Sequence, residues 1–335
     1  MKHISVTIGI PVYQVEDVVK NSLMSALSQS YNNIEYIIVD DCGSDRSMDI
    51  VRKIVEKSTR KGNVRIVCHD CNRGLGEARN TIIKNSHSDY IYFMDSDDTI
   101  EPKTVDFLVS KAIDDNSPDI IVANYVTEYT DGKKEIGTTV KQDIAIESNE
   151  AILSYYSKDS IRISSWNKLY KRDFLIRNNI RYVNRYHEDY YFSLQELHYA
   201  EKILIVPDVL YHYILRSNSI TGGLLITPTT VDRLLLVLAS INDFILKHNV
   251  HNILYSKRYV DFLSYIAYSA YATKHDKCKE IIKNTLIYGI QKDKVETLAL
   301  CRLGKIFYSS RILPESIRLI FLRAVFRVFL LKRKN

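Results

Sequence analysis

Two β-rich runs in the first hundred residues end in aspartates, and helical stretches lie between them. Tyr90-Ile91-Tyr92-Phe93-Met94 empties into Asp95-Ser96-Asp97-Asp98, and Ile34-Glu35-Tyr36-Ile37-Ile38-Val39 ends in Asp40-Asp41. The spacing predicts strands at 4–12, 34–39, 64–68 and 90–94, with helices at 16–29, 46–59 and 76–85. Strands alternating with helices of this length imply βαβ units and a mostly parallel central sheet, an α/β fold of Rossmann-like character. Ligands of such sheets bind beyond the carboxyl ends of the strands, which is where both aspartate groups fall.

Three acids within four residues repel one another at neutral pH. A fold tolerates that where a cation or a solvated turn compensates. The structural alternative is an acidic cap before a helix starting near residue 102. Cys68-His69-Asp70-Cys71 has the spacing of half a zinc site or a redox pair, but no second half is visible, and ordinary reduced thiols are the reading adopted.

Beyond residue 101 the pattern is mixed. Residues 118–125 predict a strand, Asp131-Gly132 a hairpin turn, and 147–157 and 188–199 helices, with His187 near the start of the latter. From 227 onward the spacing is helical only, over 229–249, 252–274, 277–291 and 294–309. The organisation expected is a domain over 1–222, with halves 1–102 and 103–222, followed by a helical region over 223–335.

The formal charge of +6 is concentrated at one end. Residues 302–335 hold nine Lys or Arg against Glu315 alone, so the rest of the chain is slightly acidic. Apolar residues from Ile317 to Leu331 are threaded with Arg318, Arg323 and Arg327. This predicts an amphipathic tail that lies on an anionic membrane surface or packs on its own protein. The tail is too apolar for a phosphate stripe, so nucleic acid is not an expected partner. Five cysteines without framework spacing fit a reducing compartment. No charged-then-apolar leader opens the sequence, and no run reaches the ~18 apolar residues of a spanning helix. The expectation is a cytoplasmic protein, peripheral on the inner face of the membrane.

The first strand ends in Pro11-Val12-Tyr13-Gln14 without a glycine-rich turn, and no Gly-Lys-Ser or Gly-Lys-Thr occurs, which excludes nicotinamide cofactors and a Walker loop. A nucleotidyltransferase would also need a glycine-rich basic loop after Ile10. Acidic turns with a hard cation, magnesium or manganese, suit a diphosphate instead.

The string from Ile10 to Val51, followed by Asn72-Arg73-Gly74-Leu75-Gly76-Glu77-Ala78-Arg79-Asn80 and the run ending in Asp95-Ser96-Asp97-Asp98, resembles the core of family 2 glycosyltransferases of the GT-A fold. The resemblance is close over 4–102 and looser to about 222. It implies an inverting, metal-dependent transfer of a sugar from a nucleoside diphosphate donor, commonly a uridine nucleotide. The acceptor would be a glycan or lipid-linked hydroxyl in bacterial surface polysaccharide synthesis.

By the same resemblance, Pro11, Val12, Tyr13, Asp40 and Asp41 hold base and ribose, and Arg79 lies near base or phosphates. Asp95, Ser96 and Asp97 serve ribose and metal, His212 completes the metal shell, and Arg216 holds the diphosphate. Asp189 is the catalytic base with Glu188 beside it, since inverting transfer needs one carboxylate to take the acceptor proton. An acid pair favoured by a helix dipole is compatible with that role. Trp166 and Lys168 are placed at the acceptor, although a lone tryptophan is as often core. Cys42 departs from the glycine that the family more often shows there, a change expected to matter little. A noncatalytic nucleotide-sugar or glycan-binding protein is the rival reading, which Asp189 argues against. Donor sugar, acceptor and oligomeric state are not readable.

Overall fold

β-branched and aromatic residues alternate between two apolar layers along each of the first four strands. In the computed structural model these are β1 (Val6–Val12), β2 (Ile34–Asp40), β3 (Val64–Cys68) and β4 (Tyr90–Phe93). The structure describes residues 3–137, 140–148, 152, 161–183, 187–216 and 227–250, and isolated positions from 259 to 281. The expected helix over 147–157, most of the later helices and the basic tail lie outside the described residues, so those readings rest on sequence alone.

The helices between the strands are α1 (Val19–Leu27), α2 (Ser47–Lys57) and α3 (Leu75–Asn85). After β5 (Thr99–Ile100) come α4 (Thr104–Asp114), β6 (Ile120–Tyr129), β7 (Lys134–Ile136) and β8 (Ile144–Ile146). Next are β9 (Lys168–Lys171), α5 (Arg172–Arg177), α6 (Glu188–Tyr199), β10 (Ile203–Leu215) and α7 (Pro228–His248).

The sheet runs β3-β2-β1-β4-β9-β6-β10-β5, with β7 on β6 and β8 on β10. β3, β2, β1 and β4 are mutually parallel, as the alternation predicts. β9 enters between β4 and β6 antiparallel to both, and β10 then runs parallel to β6. Gly132, at φ +86°, sits in the predicted turn between β6 and β7.

Strand alternation splits the core cleanly. Tyr36, Ile38, Tyr90, Tyr92 and Leu169 face α1, α2 and α4, whereas Ile37, Val39, Ile91, Phe93 and Tyr170 face α3, α5 and α6. A helix stripe on each side closes the layers: Val19, Leu23 and Ala26 of α1 on the first, Ala78, Ile82 and Ile83 of α3 on the second. Gly9 of β1 admits α3 at close range, because a β-carbon there would collide with the Ile82 side chain.

The chain divides into two compact units. One comprises Met1–Leu224 with Leu236–Asn242, the other Leu225–Leu235 with Asp243–Asn335. α7 opens on a capping box, Thr227 and Thr230 bonding each other's backbone, with Pro228 in the first turn. Within the second unit, His275 lies 3.2 Å from Asp232. Among the described residues no helix is long and apolar enough to cross a membrane.

Candidate active site

Four of the strands end at one edge of the sheet, and the turns beyond them carry the charged residues. β4 delivers Asp95, Ser96, Asp97 and Asp98 into the turn before β5. These acids do not cap α4, whose N-terminus at Lys103 has no side-chain cap. The carboxylates of Asp95, Asp97 and Asp98 each place an oxygen within 4.8 Å of the others.

Cationic and hydroxyl partners compensate the repulsion. Arg79, on the face of α3 that packs against the sheet, is 1% exposed. Its Nη2 donates to Asp95 Oδ1 at 2.7 Å, while Nη1 donates to Glu188 Oε1 at 2.9 Å and to Asp189 Oδ1 at 3.0 Å. Burial opposes its charge, but Asp95 and Asp189 hold the guanidinium ionised well above its ordinary range. Arg216, just after β10, donates from Nη2 to Asp97 Oδ2 at 2.6 Å. Asp98 is buried under β10, where it accepts from the Tyr211 hydroxyl at 2.6 Å and the Ile214 amide at 2.8 Å. Burial and the neighbouring Asp97 and Asp95 push the Asp98 carboxyl far up.

α6 brings the second acid pair. His187 precedes it in the left-handed region at φ 53°, a sharp entry that sets Glu188 and Asp189 in the first turn. Asp189 Oδ1 also accepts from Ser165 Oγ at 2.6 Å, and that hydroxyl in turn accepts from Tyr182 at 2.5 Å. Burial, with Asp189 adjacent, pushes Glu188 up to about 8, and burial also raises the Asp95 carboxyl against the pull of Arg79. Among the described residues, Asp95 Oδ2, Asp97 Oδ1 and Asp189 Oδ2 receive no protein hydrogen bond.

A divalent cation fits this donor set. The oxygens are hard, they converge within one turn, and two carboxylates keep an oxygen clear of protein donors, which suits magnesium or manganese. Asp98 is less suited to ligation than its neighbours, because both its oxygens are already bonded.

Several expected roles need correction. Asp41, expected at the nucleotide, is 2% exposed and spent on the fold. Its Oδ1 accepts from His69 Nδ1 at 2.7 Å and from the Arg73 amide at 2.8 Å, and its Oδ2 accepts from the Gly74 amide at 2.8 Å. His69 Nε2 meets Thr81 Oγ1 at 2.8 Å, so this acid locks the turn after β3 onto α3. The Cys-His-Asp-Cys segment thus supplies a structural histidine, with both flanking thiols free and exposed.

Lys168, expected at the acceptor, is 0% exposed and donates to Glu196 Oε1 at 2.7 Å, while Tyr170 donates to Glu196 Oε2 at 2.8 Å. It ties β9 to α6 and cannot touch a ligand. His212, expected on the metal, has Nδ1 2.8 Å from Glu128 Oε1 and Nε2 2.7 Å from Glu101 Oε1, outside the aspartate group. Trp166 is 5% exposed and lies stacked on Tyr211 and Tyr213 at 4.6 and 5.1 Å, a packing role.

The remaining expected residues line the same edge. Pro11 and Val12 end β1 buried, and Tyr13 follows with 42% exposure. Asp40 accepts from the Cys42 amide at 3.1 Å and lies 3.6 Å from Arg52. Cys42 is held at φ 60°, the region that favours glycine, so its side chain is not neutral there. Ser96 is buried within the acidic turn. Sequence reasoning counted Asp98 in the acidic run without a role of its own and overlooked Ser165, Tyr182 and Tyr211 as parts of this site. For Asp98 the signal was its place in the acidic run; the others come from segments distant in the chain.

The profile of glycosyl transferase family 2 matches residues 7–178. The Bacillus subtilis protein EpsH is 31% identical over 64% of this chain and 62% of its own length. The glycosyltransferase GlyA of Streptococcus pneumoniae is 29% identical over 64% of this chain and 31% of GlyA. The match therefore spans less than two thirds of either relative. Among solved structures, residues 1–349 of S. aureus TarS in complex with UDP-GlcNAc superpose with a TM-score of 0.56 at 18% identity, covering 90% of this chain and 81% of that one. That likeness establishes the GT-A fold. The chain belongs to glycosyl transferase family 2.

Proposed function

We propose that the chain is an inverting, metal-dependent glycosyltransferase that moves a sugar from a nucleoside diphosphate donor to a hydroxyl of a glycan or lipid-linked acceptor. One observation carries the reading: a single guanidinium, Arg79, binds the donor-side Asp95 and the acceptor-side Asp189 together. Family membership and the fold shared with a UDP-GlcNAc-binding structure support a uridine nucleotide as donor carrier. Assembly of a bacterial surface polysaccharide at the inner face of the cell membrane is the setting that the family resemblance favours.

Asp95 and Asp97 would hold manganese or magnesium. When bound, the cation would supply charge neutralisation for the departing diphosphate. The protein's own part is as follows. Tyr13 and Asp40 at the ends of β1 and β2 offer a ring and a carboxylate to the nucleoside. Asp189 Oδ2, clear of protein donors, takes the proton of the acceptor hydroxyl as its oxygen attacks the anomeric carbon from the face opposite the leaving group. Ser165 and Arg79 fix the other oxygen, so the base has one orientation. Arg216, paired with Asp97, stands where it can exchange that carboxylate for phosphate oxygens.

The test is donor hydrolysis and thermal stabilisation across UDP-, GDP- and dTDP-sugars with manganese, magnesium or chelator. Metal-dependent stabilisation with slow hydrolysis of one donor is expected. Binding of no donor under any metal condition would overturn the reading in favour of a noncatalytic role.

A further inference from the structure

The segment that carries Ser165 to the base also carries a cation without an acid. Arg162, half-buried, lies with its guanidinium carbon 4.9 Å from the Tyr125 ring, 5.0 Å from Trp166 and 5.3 Å from Tyr213. Its Nη1 donates to the Tyr125 hydroxyl at 2.6 Å. Among the described residues no carboxylate reaches it. The two other arginines described at the site each face acids: Arg79 meets Asp95 and Asp189, and Arg216 meets Asp97.

Aromatic faces attract a guanidinium and hold it in one plane, but they leave its charge unbalanced and its N–H edge open to an oxyanion. Arg162 also lines a small cleft together with Asn124, Tyr125 and Asn167. The aromatic floor is continuous with the acidic turn. Trp166 pairs with Phe93 at the end of β4, and Tyr211, stacked on Trp166, bonds Asp98 through its hydroxyl.

We propose that Arg162, seated on Tyr125, Trp166 and Tyr213, binds an anionic group of the acceptor, so that this transferase acts on a negatively charged glycan. The inference rests on the transferase reading above and deepens it. Ser165 touches Asp189 at 2.6 Å, and three residues of chain span at most about 10 Å. Arg162 is thus carried on the same short segment as the hydroxyl that orients Asp189, and the anion it binds belongs to the acceptor chain that passes this segment. A carboxylate and a phosphate both match the fork of the guanidinium.

The single tryptophan makes the test direct, because Trp166 lies beneath Arg162 and its fluorescence reports occupancy. The 335-residue chain is titrated with methyl β-glucuronide, glycerol 3-phosphate and methyl β-glucoside. A saturable change with the first or second and none with the third is expected, and the responding probe distinguishes carboxylate from phosphate. Arg162→Gln should weaken that response at least tenfold, while Arg162→Lys retains part of it. An equal response to the neutral glucoside, an anion response that survives Arg162→Gln, or no response to any probe overturns the proposal.

With a donor in hand, the kcat/KM ratio for charged over neutral acceptors is the second measurement. It should exceed tenfold and fall toward one in Arg162→Gln, each enzyme serving as its own folding control. The donor panel is read without acceptor, so its failure sinks the transferase reading, whereas a working donor with no charge preference sinks only this one.

Discussion

Arg79 and Asp189 meet at 3.0 Å across 110 residues of sequence. One comes from a helix between the early parallel strands, the other from the first turn of a helix that follows the antiparallel β9. Asp189, the proposed base, is thus aligned by the same side chain that aligns Asp95.

Arg79→Met leaves Asp95, Glu188 and Asp189 without the buried guanidinium that they share. A loss of about 3–5 kcal/mol is expected by chemical unfolding, with transfer abolished. Arg79→Lys restores charge but not the fork, so it should recover stability in part while turnover stays at least tenfold down.

Asp189→Asn and Asp97→Ala separate chemistry from binding. The first keeps metal-dependent donor stabilisation while transfer falls about 10²–10⁴-fold. The second lowers donor affinity itself. Calorimetric donor titration beside initial rates checks both, and unchanged transfer in each would remove these residues from the site.

Glu188 gives a pH signature. Its carboxyl is raised to about 8 in the folded chain against 4.5 for a free glutamate, so the native state holds a proton that the unfolded chain releases. Stability contributed by that proton is full below pH 4.5 and is lost as pH rises to about 8, on the order of 5 kcal/mol overall. Glu188→Gln should flatten the decline. A midpoint unaffected by pH over this window in the parent chain would refute the assignment.

The Lys168 and Glu196 pair gives a second stability test. Burial raises the Glu196 carboxyl, and Lys168 is the charge that opposes this. Lys168→Met should cost about 3–5 kcal/mol, and adding Glu196→Gln should return much of it, because the penalty is the stranded acid rather than the missing lysine.

At Cys42, held at φ 60°, replacement by glycine relieves a left-handed strain of about 1 kcal/mol, offset by glycine's greater freedom in the unfolded chain. A small rise in melting temperature is expected. A fall would show that the thiol contributes more than the backbone loses.

The parallel half of the sheet was legible because each strand is a short β-branched run with a helix stripe behind it. β9 was not. Lys168–Lys171 begins and ends in lysine, and only the distant Glu196 makes its first residue a buried one. Nor was β10, because Pro207 and Asp208 interrupt it where its register against β6 shifts between Ile205 and Val209. In the site, the gathering of the aspartates in the turn after β4 was legible. Residues whose role is decided by a remote partner, Asp41 by His69 and His212 by Glu101 and Glu128, were misjudged.

The Arg79 junction also limits how such chains can be recombined. A chimera cut near residue 102 would inherit Arg79 and Asp95 from one parent and Ser165, Tyr182, Glu188 and Asp189 from the other. Grafting a new acceptor half onto an old donor half is therefore an exchange of one ion-pair geometry. Chimeras should work between parents that agree on this handshake and fail between parents that do not, however similar their sugars.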